Sequence, residues 1–310
     1  MKTGKIKTLA TVMLLTFVLS FGAVTASAAT VEGNSLAPMS TDLDVDGREY
    51  KYLKILGNKN VWNYNNVSVS VGGVALSLKG FVSNGIVYIP FRAAANSISG
   101  SSYIYNSSTK TSTMKAPGLE IIATDACYVT YANGRTLFNT TPNVIMNDGR
   151  MYIPANVFAK AVGMRVDVSG SNVSLVGSYN PLISAEKFYR EDEVFWLARI
   201  IHAESRGEAL IGQIAVGNVV LNRVKSAYYP NTIYSVIFDR KYGVQFSPIL
   251  DGSIYNTPGY SATLAAKIAL EGYDVSDGAF FFLNVKLATS SWIPRTREYA
   301  FTIGNHDFYK

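Results

Sequence analysis

The chain has 310 residues, 48% of them hydrophobic, with a formal net charge of +6, which is long enough for two domains with separate cores. A single cysteine, Cys127, excludes an internal disulfide, a cysteine-based zinc site and an iron–sulfur cluster. The positive charge is too mild and too scattered for a nucleic-acid partner, and the chain has no glycine-rich phosphate loop and no coiled-coil heptad.

The chain opens with Lys2, Lys5 and Lys7, an apolar run from Leu9 to Val24, and the small-x-small triplet Ala26-Ser27-Ala28. These features predict a signal peptide over residues 1–28, cut near Ala28, because the apolar run is near the short limit for a retained anchor. Export is therefore expected, and loss of the three lysines lowers the net charge to +3.

From about Thr30 to Val176 short alternating strands dominate, among them Val67–Val71, Val166–Val168 and Val173–Leu175, punctuated by Asn133-Gly134 and Asp148-Gly149. The stretch Asn84-Gly85-Ile86-Val87-Tyr88-Ile89-Pro90-Phe91 returns 64 residues later as Asp148-Gly149-Arg150-Met151-Tyr152-Ile153-Pro154-Ala155. Each copy reads as a turn, a strand, a proline at a helix start and a short alanine-rich helix, so a small duplicated β-rich module is expected. This pattern, over residues 45–176, resembles the copper amine oxidase N-terminal-like domain of exported proteins. The segment contains no histidine, so no metal is carried over, and docking to a wall or surface, or a spacer role, is what the resemblance leaves.

At Gly177-Ser178-Tyr179-Asn180-Pro181 the β grammar stops, and a linker is expected over 177–185 before a second domain at 186–310. There the acidic Glu191-Asp192-Glu193 suits a helix N-terminus, and Val194, Leu197, Ala198 and Ile201 follow at helical spacing. The same stripe reaches Glu204, a carboxylate on the core-facing side just before Gly207. Such a glutamate either pairs with Arg206 or Arg199, or is desolvated and held protonated as an acid. His202 lies about 200° away on the helix, off that face. Without an i, i+4 histidine pair, a zinc site would need His202 or Glu208 to meet distant His306, so no metal or other cofactor is expected. Glu208 is expected to cap the next helix, about Ala209–Lys225, with Ile214, Gly217, Leu221 and Val224 as its stripe. Asn218 and Asn222 beside that stripe suit either a polyhydroxylated ligand or helix-to-loop hydrogen bonds.

The ordered set His202-Ala203-Glu204-Ser205-Arg206-Gly207-Glu208, Val219-Val220-Leu221-Asn222-Arg223-Val224, Phe280-Phe281-Phe282-Leu283-Asn284, Ser290-Ser291-Trp292-Ile293 and Ile303-Gly304-Asn305-His306-Asp307-Phe308 resembles the spore cortex-lytic, SleB/CwlJ-type cell wall hydrolases. The resemblance implies an α+β fold, a lysozyme-like and lytic-transglycosylase-like catalytic domain behind the β-rich module. It implies peptidoglycan as substrate, in cell wall or spore cortex, with Glu204 as the catalytic residue. In the implied chemistry Glu204 protonates the glycosidic oxygen between N-acetylmuramic acid and N-acetylglucosamine, then deprotonates the muramic C6 hydroxyl, which closes on C1 as a 1,6-anhydro end. The substrate supplies the nucleophile, so the second carboxylate of a water-using glycosidase is not required.

With the same resemblance, Asn222, Phe246, Ser247, Asn284, Ser291 and Trp292 are expected to line the saccharide cleft, with core packing the competing reading for Trp292; His202, Arg206, Glu208 and His306 are expected to support it, His306 through a turn-stabilising hydrogen bond. Two readings compete: a metal-dependent N-acetylmuramoyl-L-alanine amidase using His202, Glu204 and His306, and a non-catalytic wall-binding protein.

Overall fold

A computed structural model of the protein describes residues 64–139, 144–241, 243–288 and 291–310. The signal peptide expected over 1–28 and the start of the module at residue 45 lie outside these. No helix among the described residues is long and apolar enough to cross a membrane.

The module runs β1 (Tyr64–Val71), β2 (Val74–Ala75), β3 (Gly80–Ser83), β4 (Ile86–Pro90), α1 (Phe91–Asn96), β5 (Ser102–Asn106), β6 (Thr111–Ala116), β7 (Leu119–Thr124), β8 (Val129–Ala132) and β9 (Arg135–Phe138). It continues with β10 (Ile145–Asn147), β11 (Arg150–Pro154), α2 (Ala155–Val162), β12 (Arg165–Ser169) and β13 (Asn172–Val176). One sheet has the order β10-β11-β4-β3-β1-β13-β12, with β2 on β1, and the meander β5 to β9 forms the other. Alternation works as read: Val67, Val69 and Val71 are buried while Ser68 and Ser70 are not. The pairs Asn84-Gly85, Asn133-Gly134 and Asp148-Gly149 all have positive φ, as a primed two-residue hairpin requires.

The two echoing segments lie side by side, with β4 antiparallel to β11 and Ile89 opposite Ile153, its counterpart 64 residues on. Large and small residues trade places between the copies. Phe91 matches Ala155 and Ala94 matches Phe158, and the two phenylalanine rings meet edge to face at 6.1 Å in the module core.

Residues 177–185 are packed against the module. Asn180 and Leu182 donate backbone hydrogen bonds to the Val162 and Ala161 carbonyls, and Ala185 donates to that of Asn133. Gly163 ends α2 in a left-handed conformation, φ 72°, and a Cβ there would sit 1.8 Å from the Asn180 carbonyl oxygen. Gly163→Ala is expected to cost well over about 1 kcal/mol, because both the backbone angle and the strap resist it. A lowered denaturant midpoint checks this.

The C-terminal region contains α3 (Ala185–Phe188), α4 (Glu191–Ser205), α5 (Leu210–Lys225), α6 (Ile233–Ile237), α7 (Pro248–Asp251) and α8 (Tyr260–Leu270). It ends with β14 (Phe281–Asn284), α9 (Trp292–Thr296), β15 (Tyr299–Ile303) and β16 (His306–Tyr309), the three strands forming a sheet in the order β14-β16-β15. Helices α4, α5 and α8 pack together. A Cβ on Gly217 would lie 2.9 Å from Ile201 Cδ1, so the glycine does permit close approach. The single stripe expected on α5 is not what forms. Every residue from Leu210 to Val220 is buried, whereas Leu221 and Val224 are only half-buried. A helix this apolar all round is enclosed on every side by its neighbours.

Among the described residues, module and C-terminal region share a buried charge cluster. Arg135 on β9 makes a bidentate pair with Glu271 just past α8, Nε to Oε1 at 2.8 Å and Nη2 to Oε2 at 2.7 Å. Lys160 Nζ reaches Oε2 at 3.1 Å, and Tyr189 donates its hydroxyl to Oε1 at 2.8 Å. The Arg135 guanidinium also lies 3.4 Å over the Phe188 ring, and Phe138 meets Tyr273 edge to face.

Candidate active site

Glu204 lies in the last turn of α4, where Ser205 is buried and returns its hydroxyl to the Ile201 carbonyl at 2.7 Å. The chain then turns at Gly207 into α5 without a positive φ and with open space where a Cβ would sit, so the turn does not require glycine. The Glu204 side chain is half-buried, and among the described residues it has no hydrogen-bond or ion-pair partner. Burial, reinforced by the charge of Asp251 and opposed by that of Arg223, pushes its pKa up to about 7.

Neither ion pair anticipated for Glu204 forms. Arg206 is exposed, and Arg199 donates Nη1 to the carbonyls of Asn256 (2.7 Å) and Ile254 (3.4 Å) while lying over Phe195. The cation acting on Glu204 is Arg223. It is buried on α5, gives Nε to the Phe280 carbonyl at 2.8 Å, and sits about 5 Å from the centres of the Tyr229, Phe246 and Phe281 rings. Its Nη1 is buried with no partner. Sequence reading passed over this arginine, although it lies i+4 from Val219 and i+3 from Val220, on a buried face. Asp251, at the end of α7 with Oδ1 accepting from the Ser253 amide at 2.8 Å, was missed as well.

The expected cleft residues divide into two kinds. Asn222 donates its amide to Ser276 Oγ (2.8 Å) and the Ala279 carbonyl (3.0 Å), while Asn218 donates to the Tyr273 carbonyl (2.8 Å) and accepts from the Val275 amide (3.0 Å). The helix-to-loop alternative is therefore the one realised, since both Asn222 amide hydrogens already have acceptors. Phe246 is buried against Arg223 and offers no surface to a sugar. By contrast Ser247 and Ser291 are exposed, Asn284 is half-buried at the end of β14, and Trp292 is half-exposed. Trp292 stands edge to face with Phe281 at 6.1 Å and beneath the Arg297 guanidinium at 5.0 Å. Phe281 thus links Trp292 to Arg223.

The supporting residues also part company. His202 Nδ1 accepts from the Gly259 amide at 3.2 Å, tying α4 to the start of α8, and burial and then Arg206 lower its pKa. Glu208 does not cap α5, whose N-cap is Ala209 without a side-chain bond. Its carboxylate reaches instead to the β15–β16 turn, accepting from the Asn305 amide (3.1 Å) and side chain (2.9 Å). Gly304 leaves room for it, since a Cβ there would lie 2.1 Å from Glu208 Oε2. His306, opposite Asn284 in the β14–β16 register, is buried with Nδ1 3.9 Å from Glu208 and without a hydrogen bond. The turn is held by Glu208 and not, as expected, by a hydrogen bond from His306, whose pKa burial lowers despite Glu208 and Asp307. Glu208→Ala is expected to cost roughly 1–3 kcal/mol through lost charged hydrogen bonds, read as a lowered unfolding midpoint. Among the described residues no three His, Cys, Asp or Glu side chains group to hold a metal ion, so the His202, Glu204 and His306 set of the amidase reading does not assemble.

Residues 207–309 match the cell wall hydrolase family, starting three positions beyond Glu204. The C-terminal region is a cell wall hydrolase domain. Residues 56–176 match the copper amine oxidase N-terminal domain. The hydrolase domain has relatives among curated proteins, including the spore cortex-lytic enzyme of Bacillus cereus, 41% identical over 122 residues, which are 39% of this chain and 46% of that one. The spore cortex-lytic enzyme of Oceanobacillus iheyensis is 36% identical over 130 residues, 42% of this chain and 46% of that one. The chain thus spans about half the length of the curated relatives it matches. A solved structure, the catalytic domain of the germination-specific lytic transglycosylase SleB from Bacillus anthracis, is 41% identical over 39% of this chain and 97% of its own, with a TM-score of 0.36. The donor set of the N-terminal domain does not fit the metal in its family name: residues 56–176 contain no histidine, and their one thiol, Cys127, has its pKa raised by burial and by Asp125.

Proposed function

We propose that the protein is an exported peptidoglycan-cleaving enzyme, a lytic transglycosylase that breaks the bond between N-acetylmuramic acid and N-acetylglucosamine and leaves 1,6-anhydro-muramic ends. The observation that carries this reading is Glu204, a half-buried carboxyl without a partner, protonated at mildly acid pH and able to cycle near neutrality. The identity of its domain to spore cortex-lytic enzymes supports the choice of substrate.

In the proposed cycle protonated Glu204 gives its proton to the glycosidic oxygen as the bond to muramic C1 breaks. The carboxylate left behind takes the proton of the muramic C6 hydroxyl, whose oxygen bonds to C1. Glu204 ends protonated, no water is consumed and no cofactor is needed. Arg223 steadies the transient carboxylate by charge, and Asp251 restores its affinity for a proton. Ser247, Asn284, Ser291 and Trp292 form the rim available to the saccharide. The module, fixed to the hydrolase domain through Arg135 and Glu271, is the part assigned to wall docking.

Mass spectrometry of purified peptidoglycan after digestion tests this. Anhydro ends are expected. Reducing ends would make Asp251 a water-activating base, free peptides on intact glycan would establish an amidase, and binding to sacculi without products would leave a docking protein.

A further inference from the structure

Glu204 makes no hydrogen bond and no ion pair among the described residues, so the backbone of the last turn of α4 sets where its carboxyl stands. Helix ends open locally unless they are capped or anchored. This one has no left-handed stop, because its C-cap, Arg206, keeps helical angles, φ −57° and ψ −24°. The Arg206 amide closes the turn by donating to the His202 carbonyl at 3.2 Å, and the Ser205 hydroxyl bonds only its own helix. Among the described residues, His202 is the one member of 202–207 whose side chain hydrogen-bonds another element.

The bond runs from the Gly259 amide to His202 Nδ1, and a Cβ on Gly259 would sit 3.8 Å from the same atom, so ring and backbone are in contact. Gly259 is the N-cap of α8, and its carbonyl takes the Thr263 amide at 3.1 Å. Helix α8 is anchored to the module at both ends. The Tyr260 hydroxyl lies 3.3 Å from that of Tyr131, and Glu271, the C-cap, takes Arg135 and Lys160. His202 therefore ties the Glu204 turn to a fixed point. An imidazole that accepts through Nδ1 is neutral, with its proton on Nε2. The ring lies about 200° from Glu204 around the helix, so it acts on the carboxyl through the turn they share.

We propose that His202 is a positioning residue, which holds the turn carrying Glu204 in its working place by tying it to the anchored start of α8. The proposal deepens the reading of this site and rests on Glu204 as its acid and base. Without the tie the last turn of α4 opens, and the carboxyl loses its alignment with the bond it protonates.

The test uses the full chain on purified peptidoglycan, well below the melting temperature of each variant. His202→Leu and His202→Asn have the same shape, but only asparagine offers an acceptor, Oδ1, at the place of Nδ1. His202→Leu is expected to lower kcat about 10- to 100-fold with KM within about twofold, because a displacement of about 1 Å costs up to about 10²-fold. His202→Asn is expected to recover most of the kcat. Amide hydrogen exchange reads the tie directly: protection at Gly259 and Arg206 should fall in the leucine variant and return in the asparagine one. Should the leucine variant not fold, His202→Phe, which keeps a ring without an acceptor, takes its place. An unchanged kcat, an equal loss in the leucine and asparagine variants, a loss confined to KM, or an Arg206 amide that stays protected when that of Gly259 is released would each overturn the proposal. The two readings fail separately. Anhydro ends with a kcat independent of His202 sink the positioning role alone, whereas reducing ends with a His202-dependent kcat sink the transglycosylase reading alone.

Discussion

Glu204→Gln is expected to leave the fold intact and to lower release of anhydro-muropeptides from purified peptidoglycan by at least about 10²–10⁴-fold, the usual contribution of general acid–base catalysis. Glutamine keeps the shape and removes the proton that the leaving oxygen needs. Undiminished turnover by the variant would end the assignment. The wild type adds a pH signature. Because Glu204 must be protonated to start the cycle and its pKa is pushed up to about 7, kcat/KM should fall as pH rises through about 7. Stability changes with the same sign. A carboxyl raised above its unfolded value binds more protons folded than unfolded, so its ionisation costs nothing well below its ordinary pKa, and the cost is complete above about 7. Glu204→Gln should therefore raise Tm at pH 8, by an amount equivalent to about 1–3 kcal/mol, and change it little at pH 4. A catalytic residue held at a cost to the fold is expected to show both effects together.

Arg135→Ala should be the most damaging change outside the site, about 3–5 kcal/mol, since it leaves the Glu271 carboxylate buried and short of its best partner. The side chains of Arg135 and Glu271 are only 7% and 3% exposed, so solvent cannot take over. Replacing both, Arg135→Met with Glu271→Leu, should recover much of the loss, which distinguishes an orphaned charge from lost packing. The pH dependence is opposite in sign to that of Glu204. Burial pushes the Glu271 carboxyl up, but Arg135, Tyr189 and Lys160 together hold it below its ordinary value. Its contribution is then complete above the ordinary glutamate range and is lost as pH falls through the folded value. The gap between wild type and Arg135→Ala, measured by calorimetry, should narrow on acidification below about pH 4.

Local grammar was legible wherever the deciding forces act within a few residues. Alternating valines became β1, the Asn-Gly and Asp-Gly pairs became left-handed turns, and the acidic Glu191–Glu193 became the first turn of α4. The stripe on α4 carried Glu204 inward because the helical period alone decides which face a residue shares with Leu197 and Ile201. It could not say which charges would surround it. Arg206 and Arg199 are close in sequence, yet Arg223 and Asp251 act on the carboxylate, and they arrive on other elements. Asn222 and Phe246 were expected in the cleft from the family resemblance, and only packing determines whether a side chain in such a motif is free to bind.

The sequence by itself determined the change of grammar between its two parts, the echo at 64 residues, the helix whose last turn holds Glu204 and the family motifs spread along the second part. All of these depend on short-range periodicity or on residue identity. Only the tertiary structure decided that Glu208 grips the β15–β16 turn and does not cap α5, that α5 is enclosed on every side, and that residues 177–185 are strapped to the module. It also decided that Arg135 and Glu271, 136 positions apart, join the two parts. Such pairings follow from how complete elements pack, and no local pattern encodes the partner of a buried charge that lies on another element.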